Sequence, residues 1–178
     1  MIPNFYKAIT QTSPSGANGA VFGPDRTYRY LLWRTWSRYL NPVKWIMLNP
    51  STADGLTDDA TIRKCVKFAK AWGYGGIKVV NLFGYRATDP RFLNPLGYAE
   101  LVGPLNNEYI LQTLDGKGPN IAAWGQGGKL WSRSKTVLEI CQREKIRLQA
   151  LKIAKDGVTP YHPLYLKDST LPFAIDPT

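Results

Sequence analysis

Histidine is nearly absent from this chain, with His162 its single example, and cysteine is scarce, with only Cys65 and Cys141. So few soft ligands exclude a zinc site or a cysteine-ligated cluster, and no metal or other cofactor is expected. The two cysteines lack metal-type spacing and fall in helix-like stretches, which fits a reducing compartment. Long apolar runs are missing as well: none approaches the ~20 residues needed to cross a bilayer. Met1-Ile2-Pro3-Asn4-Phe5-Tyr6-Lys7 lacks the basic-then-apolar pattern of a signal peptide. A cytoplasmic protein without a membrane partner is therefore expected. Acidic residues are few too, 13 against 23 Lys and Arg, for a formal net charge of +10. A field of that sign attracts polyanions, nucleic acid first and anionic lipid second, though it also suits a merely soluble basic surface.

What is present is a core. With 44% hydrophobic residues over 178 positions, the chain reads as one domain: a loop-rich arm over 1–26, a core over 27–166 and a tail over 167–178. Residues 10–25, rich in Ser, Gly, Asn and Pro, read as a loop. Thr27 to Trp36 is aromatic and β-prone, a strand or hairpin arm. Val43 to Leu48 is a buried strand closed by Asn49-Pro50, because proline cannot extend a ladder. Thr57 reads as the N-cap of the next helix, with Asp58 and Asp59 in its first turn. Ile62, Cys65, Val66, Ala69 and Trp72 follow at helical spacing, with Gly73 past the last turn. Ile77 to Phe83 is a second strand, Pro104 to Leu114 a helix, Asn120 to Trp124 a third strand. A basic amphipathic helix over about Leu130 to Glu144 and a fourth strand over Arg147 to Leu151 complete the series. Such alternation predicts a mainly parallel four-stranded sheet with helices on both faces, an α/β/α sandwich with an N-terminal β arm.

In sheets of this kind ligands bind beyond the C-terminal strand ends, where strand order reverses. Polar punctuation falls there: Asn49-Pro50-Ser51, Asn81, Trp124-Gly125 and His162-Pro163. An amide such as Asn49 both donates and accepts, so it can hold a water or read a ring edge, or it can close an Asx turn on its own backbone. Ser51 and Thr52 suit phosphate or a turn cap. Asp54 would repel phosphate, so capping or catalysis fits it better. Asn81 interrupts an apolar strand, and a buried Asn must be hydrogen-bonded or it costs roughly 1–3 kcal/mol; near a strand end a ligand is one candidate partner. Arg86 and Asp89 either reach the same edge or pair with each other. Gln126 and the glycines after Trp124 let backbone approach a ligand closely. On the basic segment, Lys129, Arg133 and Lys135 are the candidate contacts to a nucleic-acid backbone.

These residues carry a resemblance. Arg29-Tyr30-Leu31-Leu32-Trp33-Arg34, Leu48-Asn49-Pro50-Ser51-Thr52-Ala53-Asp54, Asp58-Asp59-Ala60-Thr61, Val80-Asn81-Leu82-Phe83, Ala123-Trp124-Gly125 and His162-Pro163-Leu164-Tyr165-Leu166 together resemble a bacterial and phage family known as domain of unknown function 1643. That family supplies no activity. The order of motifs is also similar, more distantly, to that of the uracil-DNA glycosylase superfamily. This likeness implies a glycosylase-like sheet and a DNA partner in preference to RNA. It would place Asn49 at the attacking water, Asn81 on the flipped base, Trp124-Gly125 at the third strand end and His162-Pro163 by the leaving base. The chain departs from that superfamily in having Asn-Pro-Ser-Thr at the first loop, and His-Pro continues as Leu-Tyr-Leu. Hydrolysis of the N-glycosidic bond of a modified base is the first functional expectation. A non-catalytic nucleic-acid-binding or base-sensing module, and an enzyme of free nucleosides or nucleotides, are the others.

Overall fold

The computed structural model describes residues 7–93 and 95–175. Met1 to Tyr6, read above for a leader, lie outside the described residues. Eight strands form one sheet: β1 (Ile9–Thr12), β2 (Asn18–Phe22), β3 (Arg29–Thr35), β4 (Pro42–Met47), β5 (Gly76–Asn81), β6 (Asn120–Ala122), β7 (Leu148–Ala150) and β8 (Phe173–Ile175). Their order across the sheet is β1-β2-β3-β5-β4-β6-β7-β8. Pairing is parallel within β5-β4-β6-β7 and antiparallel at β1–β2, β2–β3, β3–β5 and β7–β8.

The expectation of a four-stranded, mainly parallel sheet is therefore corrected: the sheet has eight strands and antiparallel pairings outnumber parallel ones. Of the further strands, β3 is the expected arm joined to the sheet, and β1, β2 and β8 come from segments that read as irregular. Residues 10–25 are no loop but most of a hairpin, β1 and β2, around a tight turn at Ser13–Ala17. Its glycine serves packing. A Cβ on Gly19 would lie 2.2 Å from the Trp33 ring, which crosses β2 at that point. The tail supplies β8, three residues pairing with β7.

β4 is central because both its faces are buried. Trp45 and Met47 point to one side, into a layer completed by helix α1 (Ala60–Ala71) through Ile62, Cys65 and Phe68. Ile46 points to the other, where Val80, Leu82, Ile110, Leu114, Val137 and Cys141 meet. That second layer brings in α3 (Asn106–Leu114) and α4 (Arg133–Arg143), preceded by a short α2 (Tyr98–Val102). Each large apolar side chain so buried stabilises by about 1.5–3 kcal/mol. Lys44 is the exception on β4. It is buried, and its Nζ donates to the carbonyls of Leu114 and Gly116 at the end of α3; burial pushes its ammonium down to about 8.

Two helix starts differ from expectation. Asp59, not Thr57, caps α1: its backbone is extended and its carboxylate accepts from the Ile62 N–H at 2.9 Å. Asp58 lies outside the helix, paired with Arg34 at 2.7 Å. α4 begins at Arg133 after a 3-10 segment broken by left-handed Trp131 and Ser132.

Candidate functional site

At the C-terminal ends of β4, β5 and β6 the chain leaves a cavity of about 330 Å³, within the about 300–1,000 Å³ typical of small-molecule sites. The position follows from topology. β4 is continued by β5 on one side and β6 on the other, so the connections leaving their ends diverge and cannot fill the space between.

Asn49, Asn81 and His162, from three separate strand ends, all line this cavity, with Ser51, Trp124, Gly125 and Gln126. Asn49 is half committed: its Nδ2 donates to the carbonyls of Ala87 at 2.7 Å and Pro50 at 3.1 Å, locking the two loops together. Only its Oδ1 remains to accept. Asn81 is uncommitted. It is 1% exposed, and both its Nδ2 and Oδ1 are sealed from solvent without a partner among the described residues. Its backbone, by contrast, is held firmly. Asn106 Nδ2 donates to the carbonyls of Asn81 and Leu82 at 3.0 Å each, and Arg133 Nε donates to Leu82 at 2.7 Å.

His162 sits on the segment after β7, drawn to the site by a bond from the Gly125 N–H to the Pro160 carbonyl at 3.0 Å. Its Nδ1 accepts from the Leu164 N–H at 3.4 Å as the cap of a 3-10 turn. A neutral ring with Nδ1 accepting carries its proton on Nε2, so it can donate once more. Burial lowers the pKa of the ring, and Asp59 opposes that shift.

Arg29, Asp59 and Tyr165 are among the lining residues not expected at the site. Arg29, on β3, is 3% exposed; its NH1 donates to the Ala53 carbonyl at 2.5 Å and its Nε has no partner among the described residues. Burial pushes this guanidinium down to about 10, with Asp59 the main support for its charge. Asp59 itself lines the cavity, so the α1 cap is also the wall's carboxylate. Tyr165, 80% exposed, stands at the rim with its ring 5.8 Å from that of His162.

Several expected residues stand elsewhere. Asp54 is a turn cap: its Oδ1 accepts from the N–H groups of Leu56 and Thr57, each at 2.8 Å, which lowers its pKa. Pro50 and Pro163 are buried behind the wall, supporting rather than lining it. Thr52 and Arg86 line a neighbouring depression, and Ser51 borders both. Asp89 pairs with Arg91 at 2.5 Å, not with Arg86. Arg133 is fully buried, donating to Tyr98 and Asn107 as well as Leu82, so it is no surface contact for a phosphate. Lys129 is paired with Asp156 at 2.9 Å, while Lys135 is exposed on α4. Gly127 and Gly128 do not open space for a ligand. A Cβ on them would strike Leu48 and Trp124 at 2.3 Å each, so their smallness serves the wall's own packing.

Among the described residues no group of three His, Cys, Asp or Glu side chains is placed to hold a metal ion. Nor is any described helix long and apolar enough to cross a membrane. Residues 29–164 match the family described as protein of unknown function (DUF1643), and the chain belongs to that family. No curated protein and no solved structure matches the chain. The likeness to uracil-DNA glycosylases thus rests on the order of motifs alone.

Proposed function

We propose that this protein takes a nucleobase into the strand-end cavity and hydrolyses the N-glycosidic bond of a modified base in nucleic acid, DNA in preference to RNA. The observation that carries the reading is the unpartnered amide of Asn81. A carboxamide offers one donor and one acceptor side by side, the pattern of a base's pairing edge. Buried without partners it costs roughly 1–3 kcal/mol, a cost that a ligand edge removes when the cavity wall shifts to admit it. Extruding a base from a stack costs a few kcal/mol, met by such edge contacts and by stacking, for which Trp124 and Tyr165 supply rings.

The chemistry asks for two charge stabilisers. As the C1′–N bond breaks, the sugar becomes oxocarbenium-like and the electron pair leaves on the ring. His162, neutral with a proton on Nε2, donates to the leaving ring, and the fixed positive charge of Arg29 favours the same anion. Asp59 opposes the positive sugar. Asn49 Oδ1 accepts from the water whose oxygen bonds to C1′, and the proton released by that water ends on the departed base. A panel of duplexes carrying modified bases tests this by base release. Release from at least one, lost in Asn81→Ala and reduced about 100-fold or more in His162→Gln, is expected of a positioned hydrogen-bond donor to the leaving anion. Folded protein that releases nothing from any duplex sinks the catalytic reading; salt-dependent binding without turnover then favours a sensing module.

A second reading has its own support. With Arg133 buried and Lys129 shared with Asp156, one of the three expected backbone contacts is lost and a second has a competing partner, which favours an enzyme of free nucleosides or nucleotides using the same cavity.

A further inference from the structure

The base cavity shares Ser51, Ala87 and Thr88 with an adjoining, more open depression of about 430 Å³ that also exposes Arg26, Thr52 and Arg86. Three features set that depression apart. First, two guanidiniums are stacked on one ring: Arg26 lies 4.3 Å and Arg86 5.2 Å from the centre of Phe22. Their like charges repel: burial, followed by Arg26, lowers the Arg86 pKa, with Asp54 opposing the shift.

Second, neither arginine is paired with a carboxylate among the described residues. Two acids lie nearby, Asp25 in the lining of the depression and Asp54 close enough to favour the charge of both arginines, yet both are hydrogen-bonded by their own turns rather than by either guanidinium. Asp25 accepts from Thr27 N–H at 3.0 Å and Thr27 Oγ1 at 2.8 Å, and Asp54 from Leu56 and Thr57. Arg26 donates to Gln11 Oε1 at 2.6 Å and Arg86 NH1 to the Arg26 carbonyl at 3.2 Å, both neutral acceptors. The Arg86 Nε–H is buried with no acceptor among the described residues. Third, Arg26 has φ of 62°. At such a turn position glycine is the unstrained choice, so a long cationic side chain is kept there against the backbone's preference.

We propose that this depression binds a phosphate group joined to the nucleoside whose base enters against Asn81, with Arg26 and Arg86 as its cationic wall and the Ser51, Thr52 and Thr88 hydroxyls as further donors. The proposal rests on the base reading only for the ligand's other half. A phosphate offers several anionic acceptors at once, which two planar donor forks and hydroxyls satisfy, and its charge relieves the repulsion over Phe22. The phosphate is either the monoester of a free nucleotide or a diester of a nucleic-acid backbone; the chemistry of the wall is the same for both.

Calorimetry with inorganic phosphate, nucleosides, their 5′-monophosphates and a short oligodeoxynucleotide tests the assignment. Either phosphorylated ligand is expected to bind about tenfold or more tightly than the nucleoside. That ratio falls to near one in Arg26→Gly and Arg86→Gln. Arg26→Gly relieves the left-handed backbone, so its melting temperature stays within a few degrees of the parent's and a loss of binding is not a loss of fold. A gain seen only with monophosphates assigns a free nucleotide, and one seen only with the oligonucleotide a backbone diester. Inorganic phosphate bound through both arginines, with no nucleoside bound anywhere, upholds this site and overturns the base reading instead. Absence of any phosphate-dependent gain, or a gain that survives both substitutions, overturns the proposal.

Discussion

Asn81 is held by its backbone and idle in its side chain, and that contrast has an energetic sign. Replacing its carboxamide by an apolar group of similar volume removes two unsatisfied polar atoms from a sealed wall. Asn81→Leu is therefore expected to stabilise the free protein by about 1 kcal/mol or more while abolishing ligand binding. Urea denaturation of the two proteins measures the first effect, and a lower midpoint for the variant contradicts it. The same residue shows what a sequence can reveal at this scale. Asn81, Asn49 and Trp124 were legible because each is a polar or ring-bearing residue set where an apolar strand stops, and His162 because it is the chain's single histidine on the segment that follows β7. Arg29 and Asp59 were not. Arg29 reads as part of a β-prone arm until β3 is found beside β5, and Asp59 reads as a helix end until the loop of His162 is folded against it.

Among the elements, α1 ties stability to the site, because its cap is also a wall residue. Asp59→Ala loses the bond to the Ile62 N–H, whereas Asp59→Asn keeps an acceptor and loses only charge. The alanine variant is expected to be less stable than the asparagine one by about 1 kcal/mol. Both remove the carboxylate that opposes the effect of burial on His162, so the imidazole should titrate lower still. The sign follows from linkage. With the folded pKa already below the ordinary histidine value of 6.5, the unfolded chain takes up the proton first. The stability tied to neutral His162 is full above that value and is lost as pH falls through the folded pKa. A proton NMR titration of the single imidazole reads this directly, and a rise on removing the Asp59 charge contradicts the pairing. Elements with a strong period, β4, α1, β5 and α4, were legible to within a few residues. β1, β2 and β8 were not, since short strands of small or mixed residues carry no period and gain their identity only from a neighbour's free edge.

For the molecule as a whole, the two cysteines serve as a matched pair. Cys65 is buried under α1 on one face of the sheet and Cys141 under α4 on the other. Burial raises the pKa of both thiols, that of Cys141 to about 11. Neither should react with a thiol reagent at neutral pH in the native state, and both should on unfolding. If the sheet and its two helical layers open as one unit, the reactivities of Cys65 and Cys141 rise together with denaturant. A face that releases its thiol first marks the layer that melts alone. The sheet's borders carry a different consequence. Its outer strands, β1 and β8, span four and three residues, too brief to template a long ladder with another copy. The surplus of positive charge keeps copies apart in dilute salt. When a polyanion neutralises that surplus, only the brevity of these margins stands between a crowded solution and edge-to-edge stacking, so colloidal behaviour should be most sensitive to insertions that lengthen β1 or β8.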